Sequence, residues 1–420
     1  MKPRRVLLGA FGDPGHAFPM IALARGMAAR GHDVTVQTWE RWRAPIEAEG
    51  LGFAAAPEYD VFPLGPPGSD GRPRPLDFYE AVVHATRDTL PLVRELAPEV
   101  VVADILTLAP ALAAELQGIP YATLIPHVNP DNEPDAPIYS IGARLPRTVL
   151  GRAFWRRASA PVRNGLERGR RDLNDVRARL GLPALAHVHN GTSRQLALVA
   201  SFPQLEYPRA HPPAHMHVIG PLLWEPPTAD VELPPGDLPL VLVAPSTSQD
   251  PDHDLLHAAL RGLADAPVRV LATWNRRLPS QPLPVPSNTR LVEWVSYART
   301  MPHCDVVVCH AGHGTLVRAL SSGCTVVACP VAGDMNENAA RVDWAGAGVR
   351  LPQRFVAPRP LRLAVDRALG EPTIRARARE LGAWAASHDA ADTAARLVED
   401  LASTAGQPLV VSARAASIPH

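Results

Sequence analysis

Residues 305–338, DVVVCHAGHGTLVRALSSGCTVVACPVAGDMNEN, put a strand, a His-Gly loop and a helix start in direct succession. The β-branched run Asp305 to Cys309 ends in His310-Ala311-Gly312-His313-Gly314-Thr315, and the leucine-spaced segment from Leu316 to Leu320 reads as a helix. Gly312 and Gly314 let the backbone turn sharply and let a ligand approach the main chain. The free N–H groups and positive dipole end of the helix then favour a phosphate or diphosphate. Taken alone, the loop is also compatible with an ordinary strand-to-helix turn whose glycines serve packing.

Outward from this segment the chain reads as two successive α/β halves. In the first, Val6 to Phe11, Val34 to Trp39, Val100 to Asp104 and Tyr121 to Ile125 are β-rich runs separated by helical patterns, and Leu196 to Ser201 is a last run. Proline-rich punctuation around Pro203 to Pro213 suits a linker. The second half begins near Met216, with strands Val218 to Gly220, Leu238 to Ala244, Val268 to Thr273, Thr289 to Trp294, Asp305 to Cys309 and Thr325 to Cys329. Strand alternating with helix implies parallel sheets. Two doubly wound, Rossmann-like domains in tandem put a ligand cleft between the carboxyl ends of both sets of strands. The boundaries expected are 1–205 and 218–373 for the domains and 206–217 for the linker, with helices over 374–403 folding back and a tail at 404–420.

Composition removes whole classes of function. Apolar residues make up 46% of the 420 and the formal net charge is zero, which argues against disorder, a nucleic-acid-binding surface and a polybasic membrane anchor. No apolar stretch reaches the ~18 residues needed to span a bilayer, and the first strand leaves no room for a signal peptide. A cytoplasmic protein is expected, so the Asn190-Gly191-Thr192 sequon reads as loop chemistry. Lys2 is the only lysine, which excludes P-loop, kinase-type and Schiff-base sites. Cys304, Cys309, Cys324 and Cys329 lack close CxxC pairing and are expected as small buried residues at strand ends, with no metal bound.

The residues that could carry chemistry lie at strand ends. His16 follows Gly12-Asp13-Pro14-Gly15, and a histidine titrating near neutrality suits a general base. Asp104 ends a strand on the same rim and could fix the tautomer of His16 and stabilise its imidazolium; each could instead be only a cap. Gly9, Gly12 and Gly15 lack the spacing of a dinucleotide fingerprint. Ser246 and Ser248, after a strand, are a second phosphate contact. Asp250, Asp252 and Asp254 read as helix capping in preference to a metal site. Trp294 is placed either to stack on a nucleobase or to pack between domains.

With Gly15-His16-x-x-Pro19, Asp104, Trp294-Val295, the His310–Thr315 loop and Asp334-Met-Asn-Glu-Asn338 in this order, the chain resembles the two-domain GT-B nucleotide-sugar glycosyltransferases of the family 1 type, especially bacterial natural-product enzymes. The resemblance implies an inverting, metal-independent displacement in which His16, supported by Asp104, deprotonates an acceptor hydroxyl. It implies that His310, Gly312, His313, Gly314 and Thr315 hold the diphosphate, Trp294 and Val295 the base, Ser246 and Ser248 phosphate or ribose, and Asp334 and Met335 the sugar. The first domain would hold a hydrophobic aglycone, with Phe62, Phe78, His127 and Phe154 shaping its pocket. The partners implied are a nucleoside-diphosphate sugar and that aglycone, with no cofactor; a homodimer is compatible with this reading.

Two departures matter. The family commonly has glutamate eight residues after the loop histidine and glutamine after the sugar-binding acid; this chain has Arg318 and Met335. Both remove a hydroxyl-binding group, which points to a dTDP-deoxysugar donor over UDP-glucose. A GT-B epimerase, a lipid-linked sugar transferase, weakened by the lack of an amphipathic basic patch, and a non-catalytic aglycone-binding helper are the competing readings.

Overall fold

The computed structural model describes residues 2–57, 78–187, 192–246, 250, 252–275 and 283–404. Phe62, Ser248 and the Asn190-Gly191 part of the sequon lie outside them. Strands β1 (Arg5–Gly9), β2 (Asp33–Thr38), β3 (Gly52–Ala55), β4 (Val100–Asp104), β5 (Tyr121–Ile125), β6 (Ala197–Val199) and β7 (Met216–Val218) form one sheet in the order β3-β2-β1-β4-β5-β6-β7. Strands β8 (Leu240–Ala244), β9 (Arg269–Thr273), β10 (Thr289–Val292), β11 (Val306–Cys309), β12 (Thr325–Ala328) and β13 (Gly348–Arg350) form a second, β10-β9-β8-β11-β12-β13. Every pairing is parallel.

The first domain carries helices α1 (Pro14–Ala29), α2 (Arg43–Ala48), α3 (Phe78–Leu96), α4 (Leu108–Leu116), α5 (Val149–Ala158) and α6 (Ala160–Arg179). The second carries α7 (Asp254–Gly262), α8 (Tyr297–Thr300), α9 (His313–Ser321), α10 (Asp334–Ala345), α11 (Pro358–Gly370) and α12 (Pro372–Ser387), and α13 (Ala390–Thr404) ends the described chain. Both faces of each sheet are covered, which is why the inner strands read as unbroken apolar runs. In the first sheet Val6, Leu8, Val100 and Val102 enter one core while Leu7 and Val101 enter the core on the opposite face. The four cysteines are buried and unpaired. Cys309 and Cys329, on neighbouring elements, pack on opposite faces of the second sheet.

Three elements differ from the sequence reading. The edge strands β3 (GFAA) and β13 (GVR) have no β-branched run to announce them. Strand β7 pairs with β6, Met216 opposite Ala197, so it closes the first sheet and does not open the second half. The chain leaves the first domain after it: Ile219, Leu222 and Trp224 pack in the first core, while Leu223 packs against the second.

Helix α13 returns to the first domain, where Ala390, Ala394, Ala395 and Val398 join the core beside α1. Arg30 clasps Glu399 at 2.7 and 2.8 Å and Asp392 at 2.6 Å, and the ring of His32 meets Glu399 at 2.7 Å. The Arg30 hydrogen bonds, opposed by burial and helped by His32, hold the Glu399 carboxyl down at about 2 against an ordinary 4.5. A depressed carboxyl stabilises the fold above its unfolded value and loses that contribution as pH falls toward its folded one. Glu399→Ala is therefore expected to cost about 2 kcal/mol in urea unfolding at pH 7, since it removes the charged hydrogen bonds to Arg30 and His32 while Arg30 keeps Asp392. The gap to wild type should narrow as pH falls from 4.5 toward 2; a gap independent of pH would assign the loss to packing alone.

Candidate active site

In each sheet the strand order reverses between two central neighbours, β1 and β4 in the first and β8 and β11 in the second. The crevice at the carboxyl ends of such a pair is where doubly wound folds bind ligands. His16 and Asp104 stand at the first crevice; Ser246 and the His310–Thr315 loop stand at the second.

The loop that presents His16 is fixed from behind. Trp42 Nε1–H donates to the Gly12 carbonyl at 2.7 Å, and Arg41 donates to the same oxygen. The Trp39 ring occupies the space a Cβ at Gly12 would need, and the Pro110 ring does the same at Gly9. These two glycines are thus explained by packing. Pro14 then starts α1, with Ala17 N–H donating to Asp13 O at 2.8 Å. One turn in, His16 Nδ1 lies 2.8 Å from Asp104 Oδ1. Asp104 is buried and its other oxygen accepts from Phe11 N–H and the Thr107 hydroxyl at 3.4 and 3.5 Å. With Nδ1–H given to Asp104, Nε2 is the basic nitrogen, and the side chain keeps 17% exposure. Burial alone would lower the His16 pKa. The charge and hydrogen bond of Asp104, with Asp13 and Asp334 adding to them, overcome this and raise it.

His127 stands next to it, ring centroids 6.4 Å apart and nearly perpendicular. Its Nδ1–H donates to Val128 O at 2.8 Å and lies 3.4 Å from the Tyr139 hydroxyl. Burial, and then the charge of His16, push its pKa down. Of the described acceptor candidates, His127 is the one in contact with the dyad. Phe78 packs edge-on to Tyr79 against the α3–α4–α6 cluster, and Phe154 is exposed on α5, edge-on to Trp155.

On the other side, Ala311 takes φ 62° and its carbonyl accepts from Asn338 Nδ2 at 3.0 Å. Gly312 caps α9, and a Cβ there would run into the His310 ring. His310 Nδ1 lies 3.4 Å from Ala244 O at the end of β8, and burial lowers its pKa. A Cβ at Gly314 would meet nothing within 4 Å. His313 turns to the first domain: its Nε2 lies 3.1 Å from Ala200 O, and burial pushes its pKa to about 3, so it is a neutral interdomain tie. The Val295 side chain is in the second core. Trp294 stacks on Tyr297, centroids 6.2 Å apart at 21°, and Met335 packs against the second core. Asp334 opens α10, and its charge raises His16 and His310 alike, so both crevices share one electrostatic space.

Sequence reasoning missed three groups. Asn338, which holds the loop, lay in the quoted stretch four residues after Asp334, on the same helix face. Arg341 on α10 is buried and reaches Glu337 at 3.0 Å, Glu206 at 3.0 Å, Asn132 Oδ1 at 2.8 Å and the carbonyls of Leu205 and Asn129 at 3.1 and 3.3 Å. Its only sequence signal was an i,i+4 pair with Glu337, which looks like any surface salt bridge. Glu225, from the connection between domains, sits 3.9 Å from Arg318 and accepts hydrogen bonds from Ser296 Oγ and from Ala298 N–H at 3.2 Å.

Residues 258–401 match the family described as erythromycin biosynthesis protein CIII-like, C-terminal domain. The chain is 30% identical to 4'-demethylrebeccamycin synthase of Lentzea aerocolonigenes over 94% of this chain and 99% of that protein. The glycotransferase of kitacinnamycin superposes with a TM-score of 0.74 at 22% identity, covering 96% of this chain and 100% of that one. The glycosyltransferase VinC in complex with dTDP superposes at 0.69 and 21% identity, covering 95% and 99%. With two facing parallel sheets and a full-length relationship of this kind, the chain belongs to the family 1 type glycosyltransferases of GT-B fold, among the bacterial natural-product enzymes.

Proposed function

We propose that this nucleotide-sugar glycosyltransferase moves a deoxysugar from dTDP to a hydroxyl of a hydrophobic natural-product aglycone in one inverting, metal-independent step. The observation that carries the reading is the 2.8 Å His16–Asp104 pair at the first crevice. Asp104 accepts Nδ1–H, so Nε2 takes the acceptor proton and Asp104 stabilises the imidazolium that results. The freed oxygen forms a bond to the anomeric carbon as the bond from that carbon to the diphosphate breaks. The first-turn N–H groups of α9 face the charge that develops on the leaving group. His310 is neutral when nothing is bound, with Nδ1–H directed at Ala244 O; a diphosphate at Nε2 would draw a second proton onto the ring and bind it as a cation.

Donor choice rests on Arg318 and Met335, and on the family resemblance to a structure that holds dTDP. A second reading has its own observation: Glu225 keeps a carboxylate beside Arg318, as a UDP-sugar site would need for ribose hydroxyls.

His16→Ala is expected to lower kcat about 10²–10⁴-fold, the range for loss of a general base, with nucleotide affinity unchanged; undiminished transfer would remove His16 from the mechanism. Because the base must be deprotonated and its pKa is raised, kcat/KM should climb with pH along a limb centred above 6.5, and Asp104→Asn should shift that limb to lower pH while slowing turnover. In a thermal-shift series dTDP should raise the midpoint more than UDP or GDP, and UDP-glucose proving much the better donor in steady state would overturn the donor assignment. Gly312→Ala, which displaces the His310 ring without straining the backbone, should weaken dTDP binding roughly tenfold, about 1.4 kcal/mol, and leave the unliganded melting temperature close to wild type.

A further inference from the structure

Helix α5 has its amphipathicity turned outward. Its sequence VLGRAFWRRA contains no buried residue. Gly151, Trp155 and Ala158 face the protein and are half-buried, while Val149, Leu150, Ala153, Phe154, Arg156 and Arg157 are exposed. The spacing i, i+4, i+7 of the inner set is one face of a helix, so the outer set is the opposite face. Val149 and Leu150 are 82% and 83% exposed, and Ile141 and Val162 on either side are exposed too. Natural surfaces rarely gather large apolar side chains this way without a partner.

Charge identifies the partner's chemistry. Residues 136–166 contain six arginines, at 144, 147, 152, 156, 157 and 163, and no aspartate or glutamate. Arg144 meets Asp343 at 3.3 Å and Arg156 meets Asp135 at 4.0 Å. Arg147, Arg152, Arg157 and Arg163 have no carboxylate partner among the described residues. A second copy of the chain fits poorly, because an isologous contact would lay this arginine row against itself. A helix that exposes leucine and phenylalanine flanked by arginine is instead the form that lies in a lipid interface, its apolar side chains in the acyl boundary and its guanidinium groups on phosphate.

We infer that α5 docks this enzyme peripherally and reversibly on an anionic bilayer surface. No described helix is long and apolar enough to cross a membrane, and none is needed. The helix follows the loop that begins at His127, so docking would bring that side of the molecule to a phase in which apolar acceptors concentrate. The docking itself does not depend on which acceptor is used; the exposed apolar and arginine side chains of α5 are a patch that the sequence reading did not expect.

The test is flotation of the full-length protein with vesicles of phosphatidylcholine alone or mixed with phosphatidylglycerol. Wild type should float with the mixed vesicles and not with phosphatidylcholine, and high salt should release it. Val149→Glu/Leu150→Glu should reduce the floating fraction at least tenfold with an unchanged thermal midpoint, which shows the fold is intact. Wild type that ignores phosphatidylglycerol overturns the inference, as does a variant that floats like wild type. Light scattering that shows a dimer dispersed by the double substitution, without vesicle binding, would assign the face to a second copy and overturn it as well.

Discussion

The guanidinium of Arg341 is the contact on which the relation between the two crevices depends. It is buried on α10, the helix that opens with Asp334 and carries Asn338. Its partners belong to the other side: Asn129 and Asn132 after β5, and Leu205 and Glu206 near the end of the first domain. A buried charge is tolerated only where hydrogen bonds and an opposite charge replace lost water, and here two carboxylates and three oxygens do so, with the Tyr207 ring 4.2 Å from the guanidinium. Such a site has one satisfactory arrangement. Sliding α10 past the 127–132 loop by even part of a turn would strand the charge, so the register between that helix and that loop is set electrostatically.

From α10 the constraint passes to the loop chemistry by short steps. Asn338 grips Ala311 O and thereby supports a left-handed backbone that a non-glycine residue adopts only at a cost. That turn places Gly312 under the His310 ring, and His310 reaches back to the last residue of β8. Asp334, from the first turn of the same helix, acts on His16 across the cleft. One helix thus couples the orientation of the anion loop to the basicity of the group facing it.

Strand β4 and β5 boundaries were legible to the residue, because central parallel strands are apolar on both faces and end in abrupt punctuation. The edge strands were not, since a three- or four-residue strand with glycine carries no pattern of its own. His16, Asp104 and the 310–315 loop were legible because the fold puts strand ends at the crevice, so sequence order alone locates them. Arg341 and Glu225 were not, since their meaning lies in partners 136 and 93 positions away. His313 was expected among the diphosphate-binding residues for its place in the loop, and nothing in a glycine-rich motif announces that its buried ring also reaches Ala200 O in the first domain.

Glu225 changes what Arg318 means. Read in sequence, an arginine where the family commonly has glutamate removes an acceptor for ribose hydroxyls and adds an uncompensated charge. In the fold, burial lowers the Arg318 pKa and Glu225 works against that, so the arginine is part of a pair and not a free cation. Glu225 is itself fixed by Ser296 and the start of α8, immediately after Trp294 and Val295. The carboxylate beside Arg318 thus comes from the connection between domains and not from α9. A hydroxyl that approached Glu225 would compete with Arg318 for the same oxygens. Breaking that ion pair costs more the less water reaches it, since Coulomb attraction grows as the local dielectric falls.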